Sequence, residues 1–305
     1  MKEEAKDKKG ERGAKIVTAM LRGVARLPLG LLYGFSDFAC FILRDVVRYR
    51  RKIIRRNLTR VFGDDSSVDI RRVERLFYRN FCDVFIEALK LLHISDEEVD
   101  RRVEVIDAGL VDRATAEGRP SVLFLGHYGN WEWVTAIVRH FRNKVTFAEI
   151  YSPLHNKVMD RVMLNIRSRF GSEAIPKERA VRRLFEIERG GGTFVTGFIA
   201  DQRPLGLNLH HWMDFLGQDT AYMIGGEDIG KHFNAAFFFI DIEKPRRGHY
   251  RLRFVPIHAE EDGEPNPVTR KFMRMLEERI RKRPELWLWS HNRWARRREE
   301  CNLRK

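Results

Sequence analysis

The chain has 305 residues, with 57 Lys and Arg against 43 Asp and Glu, which gives a formal net charge of +14. Hydrophobic residues make up 43% and aromatics 11%, enough apolar material for a sizeable core, and this excludes a disordered chain. Three widely spaced cysteines, Cys40, Cys82 and Cys301, exclude a disulfide framework and a Cys-rich zinc module, and they suit a reducing compartment.

Residues 1–15 form a mixed-charge run without apolar periodicity, which predicts a disordered, solvated tail. Residues 16–43 are apolar except for Arg22, Arg26 and Asp37. The second half, 27–43, is 17 residues long with one charge, at the lower edge of the roughly 17–25 residues that span a bilayer. It lacks an A-x-A-like cleavage site, so it is not read as a cleavable signal peptide. Two readings remain: a buried core helix, or a membrane anchor that dips into one leaflet or spans once. Residues 44–60 hold eight Arg or Lys and one Asp, a net +7 and half of the chain's excess charge. Basic residues beside an apolar helix favour a cytoplasmic membrane face, where anionic headgroups attract them. Residues 16–60 therefore read as a membrane anchor with a basic juxtamembrane segment. Residues 61–298 read as one α/β domain and 299–305 as a tail.

Apolar residues at spacings of three and four predict an amphipathic helix over 70–92, with Asp64 to Ser67 as its turn and cap cluster. From about residue 120 the period changes. Short β-rich runs lie at 121–126, 144–152, 193–201, 235–243 and 250–258, with helical spacing at 130–141, 155–170, 178–189 and 221–233. This alternation predicts an α/β fold with a mostly parallel central sheet flanked by helices, joined to the helical membrane-associating N-terminal region. Only six residues, 244–249, separate the last two runs, too few for a crossover helix, so an antiparallel hairpin is expected there. A final helix follows at 267–283.

The run 121–126 leads directly into His127-Tyr128-Gly129-Asn130-Trp131-Glu132. Residues just past the carboxyl end of a strand in an open α/β sheet lie in the ligand crevice. A carboxylate on one imidazole nitrogen fixes the tautomer and leaves the other nitrogen free to take a proton. His127 with Glu132 can therefore serve as a general base; the alternative is a His satisfying a backbone carbonyl and a Glu on a solvated face. Gly190 to Gly192 precede a strand and read as a turn, and Gly225-Gly226 as a close helix contact. His210-His211 lacks the spacing and partner carboxylate of a zinc site, so no metal is expected. Trp287, Trp289 and Trp294 suit either an interfacial belt or core packing, and Arg296 to Arg298 a solvated tail.

GHYGNWEW (126–133) resembles the signature block of the bacterial lipid A late acyltransferases, the lauroyl and myristoyl transferases of lipopolysaccharide synthesis. Further blocks are similar in the same order: RRKIIRRNL (50–58) with the aromatic helix reaching Glu87, Arg167-Ser168-Arg169-Phe170-Gly171, GGGTFVTGFIADQ (190–202), Phe215-Leu216-Gly217 with Thr220, and PELWLWSHNRW (284–294). The second Phe of the family's Phe-Phe-Gly is Leu216 here, and His210-His211-Trp212 is unusual. The resemblance implies transfer of a fatty acyl group from an acyl thioester to a hydroxyl of a lipid A precursor. The donor is acyl carrier protein or acyl-CoA, used as a substrate with no resident cofactor. His127 would be the base and Glu132 its orienter, with Asn130 or backbone N–H groups stabilising the oxyanion. Arg167 or Arg169 would hold a phosphate or sugar of the acceptor, and Asp201 and Gln202, ending a strand beside the first, would face the same crevice. The expected partners are acyl carrier protein, the lipid A precursor and a membrane, with no nucleic acid, at the cytoplasmic side of the bacterial inner membrane. Related acyltransferases acting on other membrane lipids share the His-x4-acid pair. A non-catalytic basic protein that binds membranes or nucleic acid is the reading from another class.

Overall fold

The structure, a computed structural model, describes residues 15–204, 209–259, 263–296 and 298–299. Residues 1–14 of the tail expected over 1–15, residues 300–305 of the tail expected over 299–305 (Cys301 among them) and Arg297 lie outside the described residues.

Helix α1 (Lys15–Ala25) is followed by α2 (Leu29–Phe41), which continues through a π turn, Ile42–Val46. Pro28, with its φ fixed near the helical value and no N–H to donate, caps α2 and separates it from α1. The two helices meet at a bend of 111°, and no single helix among the described residues is long and apolar enough to cross a membrane. Helices α3 (Arg51–Phe62) and α4 (Ile70–Lys90) complete the N-terminal layer. The helix expected over 70–92 is α4, but its cap is Asp69, whose carboxylate accepts from Arg72 N at 3.0 Å. Asp65 instead closes a local turn with Ser67.

The layer is sewn to itself by buried polar contacts. Ser36 Oγ of α2 donates to Asp83 Oδ1 of α4 at 2.8 Å, and Lys90 Nζ donates to the Ala25 and Leu27 carbonyls, both at 3.1 Å. That ammonium satisfies carbonyls at the end of α1, where the helix dipole also favours a cation. The basic segment is partly consumed internally as well. Arg51 and Arg55 of α3 hold the buried Glu74 at 2.8 and 2.6 Å. Leu32, Ile54 and Leu58 join the same hydrophobic core as the strands that follow.

The remaining chain runs α5 (Asp96–Arg102), β1 (Val103–Ile106), α6 (Gly109–Ala116), β2 (Ser121–Leu125), a 3₁₀ helix (Trp131–His140), β3 (Thr146–Tyr151), α7 (Lys157–Arg167) and β4 (Glu173–Pro176). It continues with α8 (Ala180–Arg189), β5 (Phe194–Ile199), β6 (Trp212–Phe215), β7 (Gln218–Ala221), α9 (Gly225–His232), β8 (Ala236–Arg246), β9 (His249–Pro256) and α10 (Pro267–Lys282). Seven strands form one sheet in the order β1-β9-β8-β2-β5-β3-β4. Strands β8, β2, β5, β3 and β4 are mutually parallel, β8 and β9 form the expected antiparallel hairpin, and β1 runs beside β9. All five expected strand runs are present. The short edge strands β1 and β4 and the separate β6–β7 hairpin carry too few residues for a period to show in the sequence. Leu216 and Gly217, both left-handed at φ 58 and 71°, make the tight turn of that hairpin.

Strand β2 is buried along its whole length at the centre of the sheet, as a parallel strand covered on both faces must be. Phe124 stacks on Phe272 of α10 with ring centroids 5.2 Å apart. A Cβ added to Gly226 would lie 2.9 Å from the Phe124 ring and 3.1 Å from Phe198, so α9 packs at backbone distance on the sheet. Gly226→Ala should therefore destabilise the fold by about 1–3 kcal/mol through overpacking. Urea unfolding of the full chain checks this by a lower midpoint at unchanged slope.

Candidate active site

Strand β2 ends at Leu125, and the next residues turn sharply toward the 3₁₀ helix. Gly126 lies under α10, where a Cβ would come 2.8 Å from the Leu276 methyls. Gly129 has φ +64°, and a Cβ there would also meet Ile242 at 2.7 Å, so both conformation and space demand glycine. Asn130 caps the helix, its Oδ1 accepting from Trp133 N at 3.3 Å. The C-terminal segment clamps this turn from outside. Gly129 N donates to Leu286 O at 2.9 Å, Leu288 N to His127 O at 3.0 Å, and Tyr128 forms a β-bridge with Trp287.

His127 is thereby presented at the carboxyl end of the sheet with its side chain 18% exposed. Its Nδ1 lies 2.7 Å from Asp201 Oδ1, and its backbone N–H donates to Asp201 Oδ2 at 2.9 Å. Trp287 Nε1 donates to the same Oδ2 at 2.7 Å. Asp201 follows β5, the neighbour of β2, and is fully enclosed. Burial alone would raise its pKa, but the His127 charge and the hydrogen bonds from His127 and Trp287 together hold the carboxyl below its ordinary value. The other imidazole nitrogen, Nε2, faces the Gln202 amide nitrogen at 3.1 Å. The edge of the His127 ring packs on Trp131, with centroids 5.1 Å apart.

The expected orienter, Glu132, is placed elsewhere. Its carboxylate receives Arg167 Nε at 3.1 Å, Arg167 Nη2 at 2.9 Å and Trp131 Nε1 at 3.1 Å. A residue in the first turn of a helix leaving the crevice cannot turn back onto Nδ1 when the end of the adjacent strand already delivers a carboxylate there. The Glu132–Arg167 ion pair instead ties the 3₁₀ helix to the end of α7. The guanidinium expected to hold an acceptor phosphate thus has its fork on Glu132. Arg169 turns away to the Ile94 carbonyl at 3.0 Å and stacks over Phe170. Asn130 is likewise engaged within the protein: its Nδ2 donates to the buried Glu87 Oε2 at 2.6 Å. Its amide positions the turn rather than pointing at a ligand. Of the expected residues, the structure brings together His127, Asp201 and Gln202, joins Glu132 to Arg167, and sets Asn130 beneath and Arg169 outside.

Three groups are not assigned to the site by the sequence, which leaves Trp287 as either interfacial or core. Trp287 is a core tryptophan serving Asp201, and Trp289 and Trp294 are also buried, so the three are not an interfacial belt. His291 Nε2 accepts from Arg203 N at 3.3 Å, and burial followed by the Arg293 charge lowers its pKa to about 4. Glu149 of β3 sits close to the Glu132–Arg167 pair, and burial raises its pKa to about 7 against opposing contributions from Thr135 and Arg167. Arg298, expected in a solvated tail, pairs with Asp219 at 2.6 Å and lies over Trp212.

The raised pKa of Glu149 has a definite sign in stability. The folded state keeps its proton while the unfolded chain has lost it, so stability falls as pH rises from about 4.5 through about 7. Replacing it by Gln should flatten that part of the profile. Urea midpoints of wild type and Glu149→Gln between pH 4 and 8 measure this, and parallel curves would contradict it.

Comparison with known proteins gives a consistent result. Residues 5–296 match the family described as "Bacterial lipid A biosynthesis acyltransferase". A phosphatidylinositol mannoside acyltransferase of Mycolicibacterium smegmatis is 24% identical over 252 residues, covering 79% of this chain and 78% of that protein. A protein of the same description from Mycobacterium tuberculosis is 25% identical over 191 residues, covering 60% of this chain and 58% of its own length. With its mostly parallel sheet and a histidine presented at the carboxyl end of the central strand, the chain belongs to the bacterial lipid A biosynthesis acyltransferase family and is an acyltransferase of lipid-like substrates.

Proposed function

We propose that the protein is a membrane-attached O-acyltransferase that moves a fatty acyl group from acyl carrier protein or coenzyme A to a hydroxyl of a phosphorylated glycolipid. A lipid A precursor is the first acceptor to test. The observation that carries this reading is the His127 imidazole held through Nδ1 by Asp201, with Nε2 at the crevice.

With Nδ1–H donated to Asp201, Nε2 carries the lone pair. The acceptor hydroxyl takes the place of the Gln202 amide there and gives up its proton as its oxygen attacks the thioester carbonyl. The C–O bond forms, the C–S bond breaks, and the imidazolium returns the proton to the leaving thiolate. Asp201 stabilises the imidazolium between those two transfers, as the carboxylate of a catalytic triad does. No residue of the chain needs to become acylated. A mannosylated phosphoinositide is the second acceptor reading, favoured by the two mycobacterial relatives described as phosphatidylinositol mannoside acyltransferases.

His127→Ala and Asp201→Asn should fold normally and lower kcat by about 10²–10⁴-fold. Mass spectrometry of the lipid A precursor or phosphatidylinositol mannoside after incubation with the acyl thioester reads the added acyl mass. Full turnover by the His127 variant would remove this histidine from the mechanism.

Attachment is assigned to the N-terminal layer. Leu31, Phe35, Phe38 and Phe41 recur every three or four residues along α2 and are 52–65% exposed, while Leu29, Leu32, Ser36 and Cys40 on the opposite face are buried. An exposed aromatic stripe beside the basic 44–60 segment suits the interface of an anionic leaflet, the cytoplasmic face of a bacterial inner membrane. Because α2 is also part of the core, its removal would disrupt the fold. The cleaner test is Phe35→Ser with Phe38→Ser, which should move the protein from sedimented membranes to the supernatant. Unchanged sedimentation would place the contact elsewhere.

A further inference from the structure

Beside the His127–Asp201 pair lies a charged group that takes no part in holding the imidazole. Arg293, in the turn after the segment that clamps His127, is 2% exposed. Its Nη2 donates to the Ala221 carbonyl at 2.6 Å, but Nε and Nη1 are buried without a hydrogen-bond partner. Arg203, the residue after Gln202, has a buried Nε in the same condition. Burial, with the Arg203 charge adding to it and Asp201 opposing, brings the Arg293 guanidinium down to about 10.

Among the described residues, no carboxylate pairs with either of these two cations. Asp201, the carboxylate whose charge acts on Arg293, already accepts from His127 Nδ1, His127 N and Trp287 Nε1. His291, between Arg203 and Arg293 in the sequence and hydrogen-bonded to the Arg203 backbone, is neutral at physiological pH and supplies no counter-charge. A buried cation with orphaned donors is costly, and the arrangement calls for an anion with several acceptor oxygens. A thioester and a fatty chain offer none. A phosphoryl group offers several acceptor oxygens to the unpartnered nitrogens, Nε and Nη1 of Arg293 and Nε of Arg203, and guanidinium forks suit it.

We infer that Arg203 and Arg293 form the receptor for a phosphoryl group of one substrate, setting that substrate's reacting end at His127. The inference rests on the acyl-transfer reading for its choice of substrates. Two sources share the chemistry: the phosphopantetheine or coenzyme A of the donor, and the headgroup of the glycolipid acceptor. Gln202 links the receptor to the base, since it lies against His127 Nε2 and directly precedes Arg203.

The test uses full-length wild type, Arg203→Gln and Arg293→Gln. In thermal unfolding with rising inorganic phosphate, at ionic strength held constant with chloride, the wild-type Tm should climb and neither variant should follow. In steady-state transfer, the variants should raise one KM about tenfold or more while kcat changes much less. A raised KM for the acyl thioester assigns the phosphate to the donor; a raised KM for the glycolipid assigns it to the acceptor. Should Arg293→Gln fail to fold, the partly exposed Arg203 carries both measurements. The receptor is overturned if phosphate does no more than chloride for the wild type, or if folded variants keep both the Tm response and both KM values. A phosphate response lost in the variants, from a protein that transfers no acyl group, would sink the acyltransferase reading and support the receptor.

Discussion

The buried carboxylate of Asp201 is the junction on which the site depends. Leaving a carboxylate inside a protein is tolerable only when its oxygens are met by donors, and here three donors meet it. They come from the turn after β2, through both backbone and ring of His127, and from Trp287 in the C-terminal segment. One side chain at the end of β5 therefore draws together the central strands and the segment around Trp287 that clamps the His127 turn. The same contacts fix the imidazole's tautomer and aim its free nitrogen outward.

Glu87 does for the N-terminal layer what Asp201 does for the sheet. Its buried carboxylate accepts from Tyr33 of α2 at 2.8 Å, Asn130 of the site turn at 2.6 Å and Tyr250 of β9 at 2.6 Å. Trp133 Nε1 donates to its backbone carbonyl at 2.8 Å. Burial raises its pKa despite the lowering influence of Lys244 and the Tyr250 hydrogen bond. The helix that exposes an aromatic stripe and the turn that presents the histidine thus share one carboxylate. The N-terminal helical layer and the turn that presents His127 are built as one body, which suits the proposed chemistry on a lipid headgroup.

The basic segment 44–60 divides its charge between inside and outside. Arg51 and Arg55 neutralise Glu74, and Arg50 reaches the Ser290 carbonyl at 3.1 Å. Asn57 of the same segment holds the Trp289 and His291 carbonyls at 3.0 and 2.8 Å. A sequence count of charge therefore overstates what is open to a headgroup, because a residue tally does not record which cations have internal partners.

Much of the architecture was legible in the sequence because it is local. Continuous apolar runs bounded by polar turns marked the five main strands, a period of 3.6 marked α4 and α10, and a six-residue gap required a hairpin. His127 was legible for the same reason: it directly follows a buried strand, and that position alone puts it in the crevice. Its partner was not. Glu132 is five residues away and Asp201 is 74 away in sequence, yet the adjacency of β2 and β5 makes the distant carboxylate the near one. The same holds for Arg167 closing on Glu132, Asn130 on Glu87, and the three tryptophans turned inward. Sequence alone determined which segments are strands and helices, and which histidine stands at a strand's end, since these follow from periodicities of a few residues. Tertiary structure decided which charges meet, because strand order brings together groups whose separation along the chain carries no information about their distance in space.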